Sequence, residues 1–264
     1  MYKKISLNKV LMTLALIFIY TPIAILVLYS FNNSCFVNIW GGFSTKWYSS
    51  IFQDEALIDA VLTSLKIATS SATIATILGT MAGLALSRLG RFHGRTLFIG
   101  MLSAPFIIPE VITGFSLLLI FVVLEQIIGW PKDRGSLTVI LAHTTIGISY
   151  VAITVLARLA SFDKSLEEAA LDLGAHPMKV FFVITLPIIA KSLVAGWLLS
   201  FTLSIDDVVI ASFTSGAGTT TLPMLIYSRM KFGISPQINA LATLMVGSVI
   251  LAVLIAYVMS VRKK

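Results

Sequence analysis

The chain has 264 residues, of which 57% are hydrophobic and 12% are charged, and it carries a formal net charge of +7 at pH 7. Its mean hydropathy of +0.96 exceeds what a water-soluble globule of this length normally tolerates. The composition therefore excludes an ordinary soluble domain and predicts a protein that is embedded in a lipid bilayer.

Six apolar segments are long enough to cross the hydrocarbon core of a bilayer, about 30 Å thick, as α-helices. The pattern predicts an all-α membrane protein with about six transmembrane helices. We expect the first segment to be kept as a span, because it is longer than the apolar core of a signal peptide and lacks a small-residue cleavage site. The six segments begin near Val10, Val61, Leu97, Leu137, Ile188 and Ala240.

Lysine and arginine residues are concentrated at both ends of the chain, after the second span, and between the fourth and fifth spans. Because such residues stay on the cytoplasmic side of the membrane, the pattern predicts that both termini are cytoplasmic. Membrane orientation explains the net charge, so no nucleic-acid partner is expected. The four clusters are Lys3, Lys4 and Lys9; Arg88, Arg91 and Arg95; Arg158, Lys164, Lys179 and Lys191; and Arg262, Lys263 and Lys264.

The second and third spans have unusual compositions. The second is rich in small residues, including Ala75, Gly79 and Gly83, which allow helices to approach closely in lipid, so we expect it to pack centrally. The third carries Pro105 and Pro109, which free backbone carbonyls that need neighbours or a wet cavity. A helix broken in this way occurs in transport paths, and an ordinary proline kink is the alternative.

Two connecting stretches are too polar to cross the membrane. Residues 32–59 are polar and aromatic, and they predict an external loop with a short amphipathic helix. Residues 214–237 contain Gly216, Gly218 and Pro223, and they predict an external or re-entrant segment.

Residues 158–187, between the fourth and fifth spans, have the pattern of two short helices, and we call them the hairpin. Ser165 and Glu168 fit a capping box at the start of the first helix, and Gly174 supplies its left-handed stop. Pro177 suits the first turn of the second helix, and Pro187 is expected to close it. Such a pair fits a groove on a partner protein; a surface hairpin without a partner is the alternative. The first helix carries an apolar stripe of Leu166, Ala169, Ala170 and Leu173.

Three acidic residues lie within apolar segments. Asp206 and Asp207 fall inside the fifth span, and Glu110 follows the second proline of the third. Each carboxylate at mid-bilayer costs about 2.5–3.5 kcal/mol on insertion scales, so each should face a cavity or a partner. Adjacent residues on a helix point about 100° apart, so only one of the two aspartates is expected to line a path fully. The sequence does not say which.

The acids suit a positively charged substrate, and two separated acids suit a diamine. A carboxylate a few ångströms from an ammonium gains about 4 kcal/mol at a protein-like dielectric. Nearby aromatic residues either add cation–π contacts or simply pack against their neighbours. These residues are Phe106, Trp197, Phe201 and Tyr227.

Neither a metal site nor a nucleotide site is expected. His93, His143 and His176 are far apart in the sequence and lack the spacing of metal ligands. The chain also has no glycine-rich phosphate loop followed by Lys and Ser or Thr, so it is predicted to be a non-catalytic subunit rather than an ATPase.

The hairpin resembles the coupling-loop signature of the inner-membrane permeases of ABC importers. The resemblance implies that the hairpin docks on a cytoplasmic ATPase subunit, with Glu168 and Gly174 at the interface, and that ATP and magnesium are bound by that subunit. No cofactor is expected in this chain. The matching residues, at fixed spacing, are Glu168, Ala169, Ala170, Gly174, Ile184, Leu186 and Pro187.

Further motifs extend the resemblance to the permeases of polyamine importers, the putrescine systems above all. It implies a single permease domain over residues 1–264 with the ABC type I importer (MetI-like) fold, in a bacterial inner membrane. The implied partners are a sister permease, two ATPase subunits and an external polyamine-binding protein. The motifs are residues 31–34, 42–48, 129–135, 203–209, 221–225 and 239–243.

Other functions are weighed against this one. A permease for oxyanions such as molybdate or sulfate should favour basic or neutral donors in its path. A proton-coupled secondary transporter would use Glu110 and the aspartate pair as relays and would work without an ATPase. An intramembrane hydrolase lacks a paired catalytic motif here. The sequence leaves open the preference between putrescine and spermidine, and whether the path or a binding protein selects the substrate.

Overall fold

The computed structural model describes residues 7–36, 39–231 and 235–261. Within these ranges the chain is helical, and its only extended pairing is an isolated antiparallel bridge between Asn32 and Phe43. The predicted all-α class is confirmed. Five of the basic residues used to predict the orientation lie outside the described residues, and the cytoplasmic position of the termini stays a prediction. These five residues are Lys3, Lys4, Arg262, Lys263 and Lys264.

The described ranges hold the following helices: α1 Leu7–Ser30, α2 Lys46–Ile51, α3 Glu55–Arg88, α4 Arg95–Ile107, α5 Glu110–Ile128, α6 Ser136–Ala160, α7 Ser165–Asp172, α8 Pro177–Val180, α9 Leu186–Ile205, α10 Val209–Thr214, α11 Leu222–Lys231 and α12 Pro236–Val261. A π-helical turn, Phe181–Thr185, joins α8 to α9. The short external helix that the sequence predicts is α2.

Five helical segments among the described residues are long and apolar enough to cross a membrane, and the segment predicted near Ala240 is α12. The third predicted span is divided into α4 and α5. Pro109 breaks it, because the residue before a proline disfavours helical geometry, and Ile108 is accordingly extended with φ −83° and ψ 128°. Pro105 lies inside α4 and does not end it. The five segments are Asn8–Ser30, Glu55–Arg88, Glu110–Ile128, Ser136–Ala160 and Pro177–Ile205.

The chain divides into two compact units, and the first comprises residues 1–58 and 226–264. In this unit α12 packs against α1 and α2. Asp54 accepts two hydrogen bonds from the Arg229 guanidinium, at 2.6 and 3.0 Å, and one from the Gln237 amide at 3.2 Å. The hydrogen bonds from Arg229 hold the pKa of the Asp54 carboxyl below its ordinary value.

The second unit comprises residues 59–225, and α6 is the most buried of its apolar helices. As predicted, the small residues of α3 permit a close helix contact. A Cβ atom added to Gly79 would lie 2.7 Å from Val151 Cβ and 2.9 Å from the Ile148 carbonyl oxygen. Nearby, the side chains of α6 and α9 form a buried apolar cluster of Val151, Val155, Leu159 and Ile189.

This contact leads to a stability prediction. Replacing Gly79 by Leu should destabilise the protein by about 1–3 kcal/mol, because the backbones of α3 and α6 must separate to admit the side chain. The measurement is the thermal unfolding midpoint of the purified protein in detergent. Gly100→Leu is the matched control, since no neighbouring atom lies within 4 Å of its added Cβ. Equal midpoints for the two variants would contradict the prediction.

Candidate functional site

The break between α4 and α5, together with α6, α9 and α10, encloses a cavity of about 370 Å³. Its volume lies within the range of small-molecule sites, roughly 300–1,000 Å³. Glu110, Asp206 and Asp207 all line it, with His143 and Tyr150 from α6. The structure therefore brings together the three acids that the sequence singles out, which belong to two different spans.

The two aspartates lie in a break between two helices. The sequence predicts both on one continuous helix, but α9 ends at Ile205 and α10 begins only at Val209. This corrects the prediction that they differ simply by a 100° step. Asp206 closes the end of α9, and Asp207 lies before the start of α10, so the two side chains have different surroundings.

Asp207 is held by hydrogen bonds within the protein. Its carboxylate accepts from the backbone N–H groups of Ile210, at 3.3 Å, and Ala211, at 2.7 Å. It therefore caps the first turn of α10. Its Oδ2 atom also lies 3.2 Å from His143 Nε2, and its side chain is only 9% exposed. Most of the hydrogen-bond accepting capacity of the Asp207 carboxylate is therefore used within the protein.

His143 is the centre of a buried polar network that the sequence analysis missed. Its side chain is 2% exposed, and its Nδ1 atom lies 2.6 Å from Ser204 Oγ. Because the carboxylate of Asp207 only accepts, Nε2 carries the proton of that bond. Ser71 of α3 donates to Ser204 Oγ at 3.2 Å. A histidine inside an apolar span needs a polar partner. The presence of His143 in such a span was therefore the sequence feature that could have indicated this network.

Asp206 is the available acid of the pair. Its side chain is exposed to the cavity, and it accepts no hydrogen bond from any other residue that the structure describes. Both aspartates line the cavity, but only Asp206 faces it with lone pairs that no other described residue occupies. Which of the two lines a transport path stays a prediction.

Glu110 lines the cavity as the first residue of α5 and is exposed. Glu110 therefore adds a second carboxylate to the same cavity lining as Asp206, from a different helix.

The aromatic residues predicted for the path are placed differently from the acids. Trp197 and Phe201 stack at 5.2 Å on α9, Trp197 Nε1 donates to Thr73 Oγ1 at 3.1 Å, and neither ring belongs to the described cavity lining. Tyr227 belongs to the first unit, where the Lys231 ammonium lies 4.8 Å from its ring centre. Their role in a path stays a prediction. Tyr150, which the sequence analysis did not select, does line the cavity.

The hairpin starts with a different cap from the one predicted. The Ser165–Glu168 capping box is wrong, since Ser165 makes no capping bond through its side chain. Instead, Asp163 accepts a hydrogen bond from the Ser165 N–H at 3.0 Å. Hydrogen bonds from Ser165 also hold the pKa of the Asp163 carboxyl below its ordinary value. Aspartate is as good a helix cap as serine, and it lies two residues earlier.

The turn of the hairpin follows the prediction. Gly174 has φ +84°, the left-handed conformation that glycine adopts without a steric penalty, and Pro177 occupies the first turn of α8. The predicted apolar stripe of α7 faces outward, with Leu166 52% and Leu173 89% exposed. Glu168 is also exposed. This face has no cover within the described chain.

The end of the hairpin corrects another prediction. Pro187 does not close a helix, because the chain stays helical through the π turn into α9. The Leu186 N–H bonds to the Phe181 carbonyl oxygen, five residues back, and Pro187 occupies the first turn of α9, where a missing N–H costs nothing. Ile184 and Leu186 are half-buried at this base, and Pro187 is exposed.

Comparisons with known proteins agree with these features. Residues 75–263 match the family described as the inner membrane component of binding-protein-dependent transport systems. The chain is 53% identical to the putrescine transport system permease protein PotI of Escherichia coli strain K12, over 96% of this chain and 90% of that protein. It is 41% identical to the spermidine/putrescine transport system permease protein PotC of the same strain, over 89% and 86%.

The fold has a relative of known structure. One chain of a bacterial ABC transporter involved in the import of the acidic polysaccharide alginate superposes with a TM-score of 0.69, covering 98% of both chains at 15% identity. At that identity the likeness concerns the fold alone. Apolar helices around an acidic cavity, with an exposed helical hairpin, define a membrane transport subunit. The chain belongs to the family of inner membrane components of binding-protein-dependent transport systems.

Proposed function

We propose that the chain is the permease subunit of an ATP-driven importer that moves polyamines, putrescine or spermidine, into the cytoplasm by alternating access. The observation that carries the proposal is the cavity in which Asp206 faces open space and has no partner among the described residues. The relatives named as putrescine and spermidine permeases support the same substrate class. In this proposal residues 1–264 act as one permease domain.

The electrostatics of the cavity favour a cation over an anion. The last carbonyl groups of α9 carry partial negative charge, and they lie beside the Asp206 carboxylate. The N–H groups at the start of α10, which would attract an anion, are already bonded to Asp207. An ammonium near Asp206 gains up to about 4 kcal/mol, which offsets part of its dehydration. An oxyanion would meet repulsion in the same place.

The second acid suits a substrate with two charges. Glu110 lines the same cavity from a different helix, so it provides a separate carboxylate for a second ammonium group. Tyr150 adds a ring and a hydroxyl to the same lining. Two separate carboxylates predict that the cavity prefers diamines to monoamines.

The hairpin is proposed to dock on a cytoplasmic ATPase, which binds ATP and magnesium. Glu168, Ala169 and Gly174 are exposed on it and are placed at that interface. Ile184 and Leu186 are half-buried, so they hold the base of the hairpin rather than meet the partner. The remaining partners of the proposal are a second ATPase subunit, a sister permease that completes the path, and an external polyamine-binding protein. The termini and the hairpin then lie on the cytoplasmic side.

Energy dependence tests this proposal against proton coupling. In cells without their own polyamine uptake, the chain is expressed with its sister permease, ATPase and binding protein. Uptake of labelled putrescine should stop when ATP is depleted and should continue when a protonophore collapses the proton gradient at constant ATP. Unlabelled spermidine should compete, whereas molybdate and sulfate should not. Uptake that follows the proton gradient, or that survives inactivation of the ATPase, would refute the proposal.

A further inference from the structure

Helix α7 has an unusual distribution of side chains. Leu166 and Leu171 in the helix and Leu173 directly after it are exposed, at 52%, 43% and 89%. Glu167, one of the three acidic residues of the helix, is only 6% exposed. A helix on a protein surface normally buries its apolar face. A buried carboxylate is costly unless it is paired and hydrogen-bonded, so the contacts of Glu167 need a reason.

Three helical elements meet at Glu167. Its Oε1 atom accepts hydrogen bonds from Arg88 Nη2, at the end of α3, and from Thr185 Oγ1, in the π turn that leads into α9. Arg88 Nη2 also lies 3.5 Å from Thr185 Oγ1, and Thr185 is 1% exposed. We call Arg88, Glu167 and Thr185 the joint. It links the hairpin directly to two of the long helices.

The same two helices are linked again at a second point. Ser71, in the middle of α3, donates to Ser204 near the end of α9, and Ser204 contacts His143 at the cavity wall. The distance from the joint to these serines is about 25 Å along α3 and about 28 Å along α9, at 1.5 Å per residue. Two helices that are joined by polar contacts at two separated points move as one body more readily than two helices that merely touch.

We infer that Glu167 is a positioning residue that couples the hairpin to α3 and α9, so that a displacement imposed at the hairpin reaches the Asp207–His143 side of the cavity. The inference rests on the proposed function in one respect, that an ATPase supplies the displacement. Glu167 is then distinct from its exposed neighbour Glu168: one holds the hairpin to the membrane helices, and the other meets the partner.

The chemistry of the joint suits the transfer of a displacement from the hairpin to α3 and α9 better than it suits simply holding the hairpin in place. Apolar residues of similar size would hold the hairpin in place at least as well, since a buried ion pair seldom adds net stability. Hydrogen bonds depend on direction, whereas apolar contacts do not. One oxygen of Glu167 accepts from Arg88 and from Thr185, so it fixes the hairpin relative to both elements.

The test separates coupling from assembly. The complete importer, with ATPase, sister permease and binding protein, is reconstituted in liposomes, and putrescine taken up per ATP hydrolysed is measured. In Glu167→Gln the ATPase should still co-purify and hydrolyse ATP, while the transport ratio falls by about fivefold or more. Thr185→Val, which keeps the ion pair, should lower the ratio less. Glu125→Gln, at an exposed acid of α5 outside the hairpin and the cavity lining, should leave it unchanged.

Charge exchange provides the second readout. Glu167→Arg alone should uncouple the importer, and adding Arg88→Glu should recover part of the ratio. A wild-type ratio in Glu167→Gln would overturn the inference. The inference would also be overturned if the ATPase were lost from Glu167→Gln complexes while Thr185→Val kept the wild-type ratio. Glu167 would then be a residue that docks the ATPase. Putrescine uptake by the wild-type complex without hydrolysis would instead refute the proposed function, whatever the variants do.

Discussion

Replacing Asp206 by Asn lowers the uptake of labelled putrescine at least about tenfold, equivalent to 1.4 kcal/mol, while leaving the amount of folded protein unchanged. Asparagine has the same shape but no charge, so the cavity loses its unpaired carboxylate and keeps its packing. Folding is spared because Asp206 accepts no hydrogen bond from another residue in the described part of the chain. Spermidine uptake should fall in the same variant.

Initial rates over a range of putrescine concentrations measure this effect, with membrane abundance of the protein determined in parallel. Glu125→Gln is the matched control, because it neutralises an exposed acid of α5 that does not line the cavity. It should transport at the wild-type rate. Normal uptake by Asp206→Asn would remove Asp206 from the path and with it the main support for a cation-binding cavity.

Replacing Asp207 by Ala, in contrast, is expected to impair folding first. The variant leaves two N–H groups of α10 and the buried ring of His143 without an acceptor. Leaving a buried donor without an acceptor costs about 1–3 kcal/mol, and the lost helix cap about 1 kcal/mol more. The thermal unfolding midpoint and the yield of folded protein should both fall well below those of Asp206→Asn.

An intermediate variant identifies the cause. Asp207→Asn keeps one accepting oxygen, so its midpoint should lie between those of the wild type and Asp207→Ala. If Asp207→Ala folds as well as the wild type and loses only transport, Asp207 belongs to the path rather than to the framework. The two adjacent aspartates are thus expected to fail differently. Loss of Asp206 lowers uptake while the protein stays abundant, whereas loss of Asp207 lowers the abundance of the protein.

Hydropathy and small-residue patterns predicted most of the helices, because they report how each segment partitions into lipid. The three acids were also found from sequence, since a carboxylate in an apolar segment needs a special environment. Gly174 was predictable for a local reason, the left-handed backbone at a helix end. These features depend on a few consecutive residues.

The features that were missed depend on contacts between distant residues. Nothing near Glu167 indicates that it is buried and Glu168 exposed, because the partner Arg88 lies on another helix. The role of His143 depends on Ser204 and Asp207 in the same way. The continuation of the helix into Pro187 was mispredicted because a π turn supplies the backbone hydrogen bonding that a proline otherwise interrupts.

The backbone segments that carry the two cavity acids, Asp206 and Glu110, differ in stiffness. Asp206 terminates a helical run that is unbroken from Pro177, whereas Glu110 comes directly after the extended Ile108–Pro109 link. A continuous helix bends little, while a non-helical link of this kind changes direction with small rotations of the backbone. Any tilt of α5 about that link alters the spacing between the two carboxylates, and in the proposed function this spacing sets the length of the dication that the cavity accepts.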